Sequence, residues 1–234
     1  MNNTAQFISY KQTGYFSKMV TDYITGEEKL LPFYNYPVTK EGIKAAIEKR
    51  ISFPTDRQLL VEILSRQYQD VELNGRQKHY LQQLSSDNTF TICTAHQPNI
   101  FTGYLYFIFK ILHIIKLAEE LQIEIPEQNF VPVYYMGSED ADLDELGHVF
   151  INGEKFEWAT KQTGAVGRMK VDKALIQLIE IVSGQLLVFP FGAEIIALMK
   201  QCYNEEVTIE QATFKLVNEL FAAYGLLILL PDSD

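Results

Sequence analysis

The sequence predicts an α/β fold: a parallel sheet with flanking helices, preceded by a helical N-terminal segment. Three observations predict it. Phe90-Thr91-Ile92-Cys93-Thr94 is short, β-rich and apolar, as a buried strand is, and Phe130-Val131-Pro132-Val133-Tyr134-Tyr135 repeats that character. Between them a loop, 95–103, leads into a long helical stretch, 104–122. Strand, helix and strand within about 45 residues make a βαβ unit, the building block of parallel sheets.

The elements follow in order. Thr39 can cap a helix on which Ile43, Ile47 and Ile51 recur every four residues. Thr55 and Gln58 form a capping box just after Pro54, with Leu60, Leu64 and Tyr68 on one face of the helix it starts. A third helix covers 76–84; the aromatic, polar stretch 15–36 carries no assignable pattern. Pro132 counts against a central place for the second strand, because proline cannot donate to a ladder. Asn152-Gly153, between Val149-Phe150-Ile151 and 154–158, is a two-residue hairpin signal. Asp172 can cap a helix reaching 181, and another covers 194–203. The capping box Thr208…Gln211 starts a third, with Phe214, Val217, Phe221 and Tyr224 leading to Gly225 as its stop. Leu226–Leu230 reads as a strand, and Pro231-Asp232-Ser233-Asp234 closes the chain. In open α/β sheets ligands bind just beyond the carboxyl ends of strands. The expectation is an incomplete domain: a helical segment over 1–88 packing on a core over 89–234, truncated at its C-terminal end.

Composition narrows the function. The chain has 234 residues, 47% hydrophobic and 12% aromatic, with 20 basic against 30 acidic side chains and a formal charge of −10. That is globular material. Its acidity argues against a binder of nucleic-acid backbones. Two cysteines, Cys93 and Cys202, make no disulfide framework and read as reduced, buried thiols. Met1–Ala5 lacks the basic and apolar pattern of a signal peptide, and the apolar stretch 100–117 is broken by Lys110, His113 and Lys116, against a membrane span. A cytoplasmic protein is expected.

Two loops can carry chemistry. The first, 94–103, sits between a strand end and a helix start, where backbone N–H groups and the helix dipole favour an anion. His96, Gln97, Asn99 and Thr102 add donors, Gly103 admits a close backbone approach, and Lys110 lies within reach of a phosphate. The alternative is an ordinary capped loop. The second, 137–145, offers Ser138, Glu139, Asp140 and Asp142, with His148 close behind. Crowded carboxylates want a cation or ammonium partner. They can accept from a substrate amine, act as general base or hold Mg²⁺ through water, or simply complement a helix dipole. Arg168, in a loop bearing Gly164 and Gly167, suits an anion. No metal-ligand spacing among Cys93, His96 and His148 indicates a zinc site.

These two motifs carry a family resemblance. Thr94-Ala95-His96-Gln97-Pro98-Asn99-Ile100-Phe101-Thr102-Gly103-Tyr104-Leu105-Tyr106, with Lys110 beyond, resembles the signature of the bacillithiol biosynthesis cysteine-adding enzyme family, BshC. Pro132-Val133-Tyr134-Tyr135-Met136-Gly137-Ser138-Glu139-Asp140-Ala141-Asp142-Leu143-Asp144-Glu145 is similar to its second motif, and Asp22-Tyr23 with Pro32-Phe33-Tyr34 to its opening. Ala95 stands where the family has Gly, Tyr104 where it has Pro, and Tyr135 where it has Trp. The resemblance implies a Rossmann-like domain from a longer protein with a dimerising coiled coil, and a homodimer at full length. It also implies a ligase joining the cysteine carboxyl to the amine of glucosaminyl-malate. ATP activation, with Mg²⁺ as a further expectation, is the natural coupling. On that chemistry Gln97, Asn99, Thr102 and Gly103 bind phosphates, with Lys110, Ser138, His148 and Arg168 as further binding residues. His96 with Lys110 stabilises transferring charge, and Glu139, Asp140 and Asp142 hold an ammonium group and take its proton. Two other readings stay open: a sugar-nucleotide transferase using Asp140 and Asp142 with a metal, and a non-catalytic nucleotide-binding module.

Overall fold

β-Branched and aromatic side chains build the sheet. The computed structural model describes residues 6–232, so the readings on Met1–Ala5 and on the closing Ser233-Asp234 lie outside the described residues. In chain order the helices and strands are α1 (Tyr10–Thr13), α2 (Lys18–Thr25), α3 (Lys40–Ile51), α4 (Arg57–Gln67), α5 (Gly75–Gln83), β1 (Thr89–His96), α6 (Leu105–Glu124), β2 (Asn129–Met136), α7 (Leu143–Leu146), β3 (His148–Ile151), β4 (Glu154–Glu157), α8 (Lys173–Leu186), α9 (Gly192–Cys202), α10 (Ile209–Phe221) and β5 (Leu227–Leu229). β1, β2 and β5 form a parallel sheet in the order β1-β2-β5. β1 and β2 are in register from Thr89 opposite Asn129 to His96 opposite Met136, and β5 joins at Val133–Tyr135.

The expectation that Pro132 marks an edge strand is corrected, because β2 is the central strand. Proline is tolerated there because β5 pairs only with Val133–Tyr135, so beside Pro132 one edge of β2 carries no ladder. The hairpin forms as expected: β3 and β4 pair antiparallel around Asn152 (φ 52°) and Gly153 (φ 82°), the two left-handed residues its tight turn needs. Thr39 and Thr208 cap α3 and α10, the latter with the full capping box. At α4 the cap is Asp56, not Thr55; Asp56 accepts from the Leu59 N–H at 2.9 Å, while Thr55 Oγ1 accepts from Arg50. The cap moves on by one residue, and with Leu59 at the third helical position the expected capping box is replaced by a one-way side-chain cap.

The chain divides into two compact units, Met1–Thr55 and Asp56–Asp234. This boundary differs from the expected 88/89, because α4 and α5 belong with the sheet. Tyr68 Oη accepts from the Ile228 N–H at 2.8 Å, and Gln67 bonds both the N–H and the C=O of Leu230. Gln77, fully buried, donates to Asn218 and to the Leu226 carbonyl. These two helices thus satisfy the backbone polar groups that β5 would otherwise bury unpaired. The first unit holds α1 to α3, and in it Asp22 pairs with Lys18 at 2.8 Å and Lys29 at 2.7 Å.

Two apolar cores lie in the second unit. One joins the sheet (Val131, Val133, Tyr134, Ile228) to Leu64, Tyr68, Phe107, Ile111 and Phe214. The other joins the hairpin and Trp158 to Leu175, Ile179, Tyr203, Ile209 and Leu216. Each such side chain withdrawn from water stabilises the fold by about 1.5–3 kcal/mol. Cys202 is buried, but Cys93 is exposed, which corrects the reading of both thiols as buried. Among the described residues β1 pairs with β2 alone, and Thr91, Cys93 and Ala95, which share one face of it, are exposed. Among the described residues no helix is long and apolar enough to cross a membrane.

Candidate active site

The parallel register carries the two sequence motifs to the same rim. His96 ends β1 opposite Met136, and the His96 carbonyl accepts from the Tyr134 hydroxyl at 2.9 Å and from the Gly137 N–H at 3.0 Å. One residue on, Gln97 Nε2 donates to Asp140 Oδ2 at 2.8 Å. The two loops, 43 residues apart in the chain, therefore open into one crevice. A Cβ placed on Gly137 would lie 3.9 Å from both Gln97 and Glu139, so Glu139 belongs to this rim as well.

The first loop makes an unusual turn. Phe101 (φ 53°), Thr102 (φ 74°) and Gly103 (φ 62°) all adopt left-handed backbone. For the two non-glycine residues this conformation costs about 1–3 kcal/mol each. Tyr203, buried beyond the end of α9, holds the turn: its hydroxyl accepts from the Phe101 N–H at 3.2 Å, and the two rings meet edge to face. Gly103 is required twice over, by its φ and because a Cβ there would lie 2.7 Å from the Asn99 side chain. Asn99 beneath it is only 2% exposed, and neither polar atom of its amide has a hydrogen-bond partner. α6 begins directly afterwards at Leu105, and Tyr104 before it supplies no side-chain cap, unlike the cap residues of α3, α4, α5, α8 and α10. Its first amides and positive dipole end are left for another acceptor.

Two histidines flank this turn. His96 Nε2 meets the Tyr106 hydroxyl at 3.3 Å, and its ring packs on Phe107. Burial, aided by the Lys110 charge, pushes the His96 pKa below its ordinary value, so the imidazole is neutral at physiological pH. His148 Nδ1 lies 2.8 Å from the Asp144 carbonyl and so carries the proton, which leaves Nε2 to accept from Tyr104 Oη at 3.1 Å. Tyr104 thus gives its position a hydroxyl bonded to His148. Ala95 needs no glycine-like backbone, since it lies within β1 and has no positive φ.

The remaining expected residues take different places. Lys110 Nζ donates to the Ala95 carbonyl, steadying the end of β1. Ser138 is fully buried, and its Oγ has no partner at hydrogen-bond geometry. Asp140 also accepts from the Asp142 N–H at 3.2 Å; with Gln97 first, these bonds hold its carboxyl below the ordinary range. Asp142 caps α7, accepting from the Glu145 N–H. Arg168 reaches the rim because the Val166 and Gly167 amides donate to the Asp140 and Ser138 carbonyls. Its guanidinium holds Asp232 in two bonds of 2.6 Å each. Among the described residues no group of three or more His, Cys, Asp or Glu side chains is placed to hold a metal ion. Asp140 and Asp142 are engaged with protein donors, so these residues by themselves do not fit Mg²⁺. A nucleotide phosphate does fit the first loop, where an orphaned amide, a glycine cradle and an uncapped helix start converge.

Sequence reasoning missed Glu210 and Asp232. Glu210 lies in the first turn of α10, half-buried beside Ser138, Glu139, Arg168 and Asp232. Burial raises its carboxyl above the ordinary range; Asp232 and Glu139 add to the rise, and Ser138 and Arg168 oppose it. The available signal was topological: a helix returning to a parallel strand starts at the carboxyl rim of the sheet.

Comparison with known proteins gives the family. The family model described as bacillithiol biosynthesis BshC, N-terminal Rossmann-like domain, matches residues 4–234. A relative from Flavobacterium psychrophilum, named "Putative cysteine ligase BshC", is 38% identical over 97% of this chain and 43% of its own length. Relatives of the same name from Cytophaga hutchinsonii and Bacillus cytotoxicus are 37% and 24% identical, over 97% and 90% of this chain. The chain spans about two fifths of the length of these relatives, 41% and 40% of it in the latter two cases. The chain belongs to the bacillithiol biosynthesis BshC family, whose N-terminal Rossmann-like domain it matches across nearly all of its residues.

Proposed function

We propose that this chain is the nucleotide- and amine-binding core of a ligase that joins the carboxyl group of cysteine to the amine of glucosaminyl-malate. The observation that carries the reading is the shared crevice, in which the Gln97–Asp140 bond brings an anion-ready turn beside a carboxylate-rich loop. The names of the relatives support cysteine as the acid partner. On the family resemblance the intact protein works as a cytoplasmic homodimer.

Amide formation in water needs an activated carboxyl, and ATP, when bound, supplies a phosphate-bearing leaving group. The protein residues do the rest. The amides opening α6, the Asn99 side chain and the Gly103 backbone hold the phosphates against the helix dipole. His96, kept neutral, stands ready to donate a hydrogen bond as charge develops on the transferring group. Lys110 fixes the β1 end on which His96 and Gln97 sit. Glu139 draws in the substrate ammonium.

The test is genetic and chemical together. Deleting the gene abolishes bacillithiol and accumulates glucosaminyl-malate, measured by thiol labelling and mass spectrometry. An unchanged thiol pool overturns the reading. On the purified chain, Gly103→Ala weakens ATP binding at least tenfold, because the new Cβ displaces Asn99.

A further inference from the structure

The start of α6 is bordered by a cluster of aromatic rings. Alternation along β3 sends Val149 into the core and turns His148 and Phe150 to the other face. There they meet Tyr104, the residue before α6. Its ring centroid lies 6.0 Å from that of His148, edge to face, and 6.3 Å from that of Phe150. Tyr106 lies almost parallel to Tyr104, with centroids 5.9 Å apart and planes 13° apart. Each tyrosine hydroxyl is pinned to a buried imidazole, Tyr104 Oη to His148 Nε2 at 3.1 Å and Tyr106 Oη to His96 Nε2 at 3.3 Å. The hydroxyl ends are thus fixed, while Tyr104, Tyr106 and Phe150 remain 40%, 45% and 53% exposed. A contiguous patch of exposed, pre-oriented aromatic rings marks a binding surface.

The surroundings select the occupant. Tyr104 and Tyr106 flank Leu105, the first residue of α6, where the helix amides have no side-chain cap. An independent feature beside them, the buried Asn99 amide, has no partner on either polar atom. Lys110 adds a positive charge, its Nζ lying 5.9 Å from the Tyr106 ring. Aromatic surface beside an anion-ready helix start suits a ligand that joins a planar ring to phosphate, as a nucleotide does. A sugar also packs on aromatic rings, but its hydroxyls need hydrogen-bond partners, and both tyrosine hydroxyls here are engaged by imidazoles.

We propose that Tyr104, Tyr106 and Phe150 form a stacking shelf for the purine base of a nucleotide whose phosphates bind at the start of α6. The inference rests on the nucleotide reading for the phosphates and goes beyond it in placing the base. Tyr104 stands where the family has Pro, so the motif by itself does not supply this shelf.

The experiment titrates the purified chain with ATP, inorganic tripolyphosphate, adenosine and glucosamine. Wild type binds ATP about tenfold more tightly than tripolyphosphate, the contribution of one stacked base, and the ultraviolet absorbance of the adenine falls on binding. Tyr104→Pro suits the backbone there (φ −75°) and removes the ring. It binds ATP no more tightly than tripolyphosphate, while its tripolyphosphate affinity matches wild type. Tyr104→Phe, which keeps the ring, keeps the preference for ATP, and Phe150→Ala loses part of it. A Tyr104→Pro protein with wild-type ATP affinity overturns the proposal. So does wild type that binds ATP and tripolyphosphate equally, which leaves the phosphate reading standing. Glucosamine held through Tyr104 in place of adenosine overturns it as well. Adenosine bound through Tyr104 without any binding of tripolyphosphate keeps the shelf and overturns the phosphate part of the ligase reading instead. Wild type that binds neither ATP nor adenosine overturns both.

Discussion

His96 shows how much one residue can depend on its surroundings. Its ring is buried against Phe107 and lies near Lys110, and both disfavour the imidazolium. The folded pKa is therefore below the ordinary 6.5 of the unfolded chain. As pH falls below that ordinary value, the unfolded state takes up the proton first, so stability present above it is lost through the lowered native value. The urea midpoint is expected to drop between about pH 7 and about pH 5. His96→Gln drops less over the same interval, with the Glu210 contribution, of opposite sign, common to both proteins. Equal pH slopes would show that burial does not shift this histidine. Gly103 was legible as a glycine needed for a close approach. The left-handed Phe101 and Thr102 before it were not, since nothing local favours them; Tyr203, about a hundred residues away in sequence, supplies the partner that holds the turn.

At the scale of elements, caps and hairpins were readable because their determinants are neighbours in the chain. Thr39, Asp172, the Thr208…Gln211 box and Asn152-Gly153 each act within about four residues of themselves. Asp172 does more than cap. It accepts from Leu175 N–H, from Trp158 Nε1 at 2.8 Å and from Thr160 Oγ1 at 2.7 Å, tying α8 to the segment after β4. Burial acts to raise its carboxyl, and these hydrogen bonds outweigh it, so the net shift is downward. Asp172→Ala is expected to cost about 2–3 kcal/mol in urea unfolding, from a lost cap and a buried indole N–H left unpaired. Trp158, the only tryptophan in the chain, reports the change as a shift in its own emission. A loss under 0.5 kcal/mol, of the size expected at an ordinary surface position, would place this network outside the stabilising interactions. The length of β2 and the position of Pro132 within the sheet were less legible, because strand neighbours are chosen by tertiary pairing.

At the scale of the whole chain, the division at 55/56 carries a prediction. Both apolar cores lie between residues 60 and 230, so residues 56–234 hold both clusters. That piece, expressed alone, is expected to unfold in one urea transition with the Trp158 emission of the full chain. A broad, non-cooperative loss of signal would mean that the first unit completes the core. A boundary at 88/89 followed from the change in sequence pattern at Phe90, but α4 and α5 are bound to β5 by polar side chains with no periodic signature.

The sequence by itself determined the strand–helix–strand core, the two motif loops and their meeting at one rim, because the order of elements in a parallel sheet forces successive strand ends to the same edge. Tertiary structure alone decided which groups in that crevice are engaged and which are left wanting a partner. Asp140 is held by Gln97, Arg168 by Asp232, and Glu210 arrives from a helix some 70 residues beyond the motif, since hydrogen bonding and desolvation depend on neighbours in space.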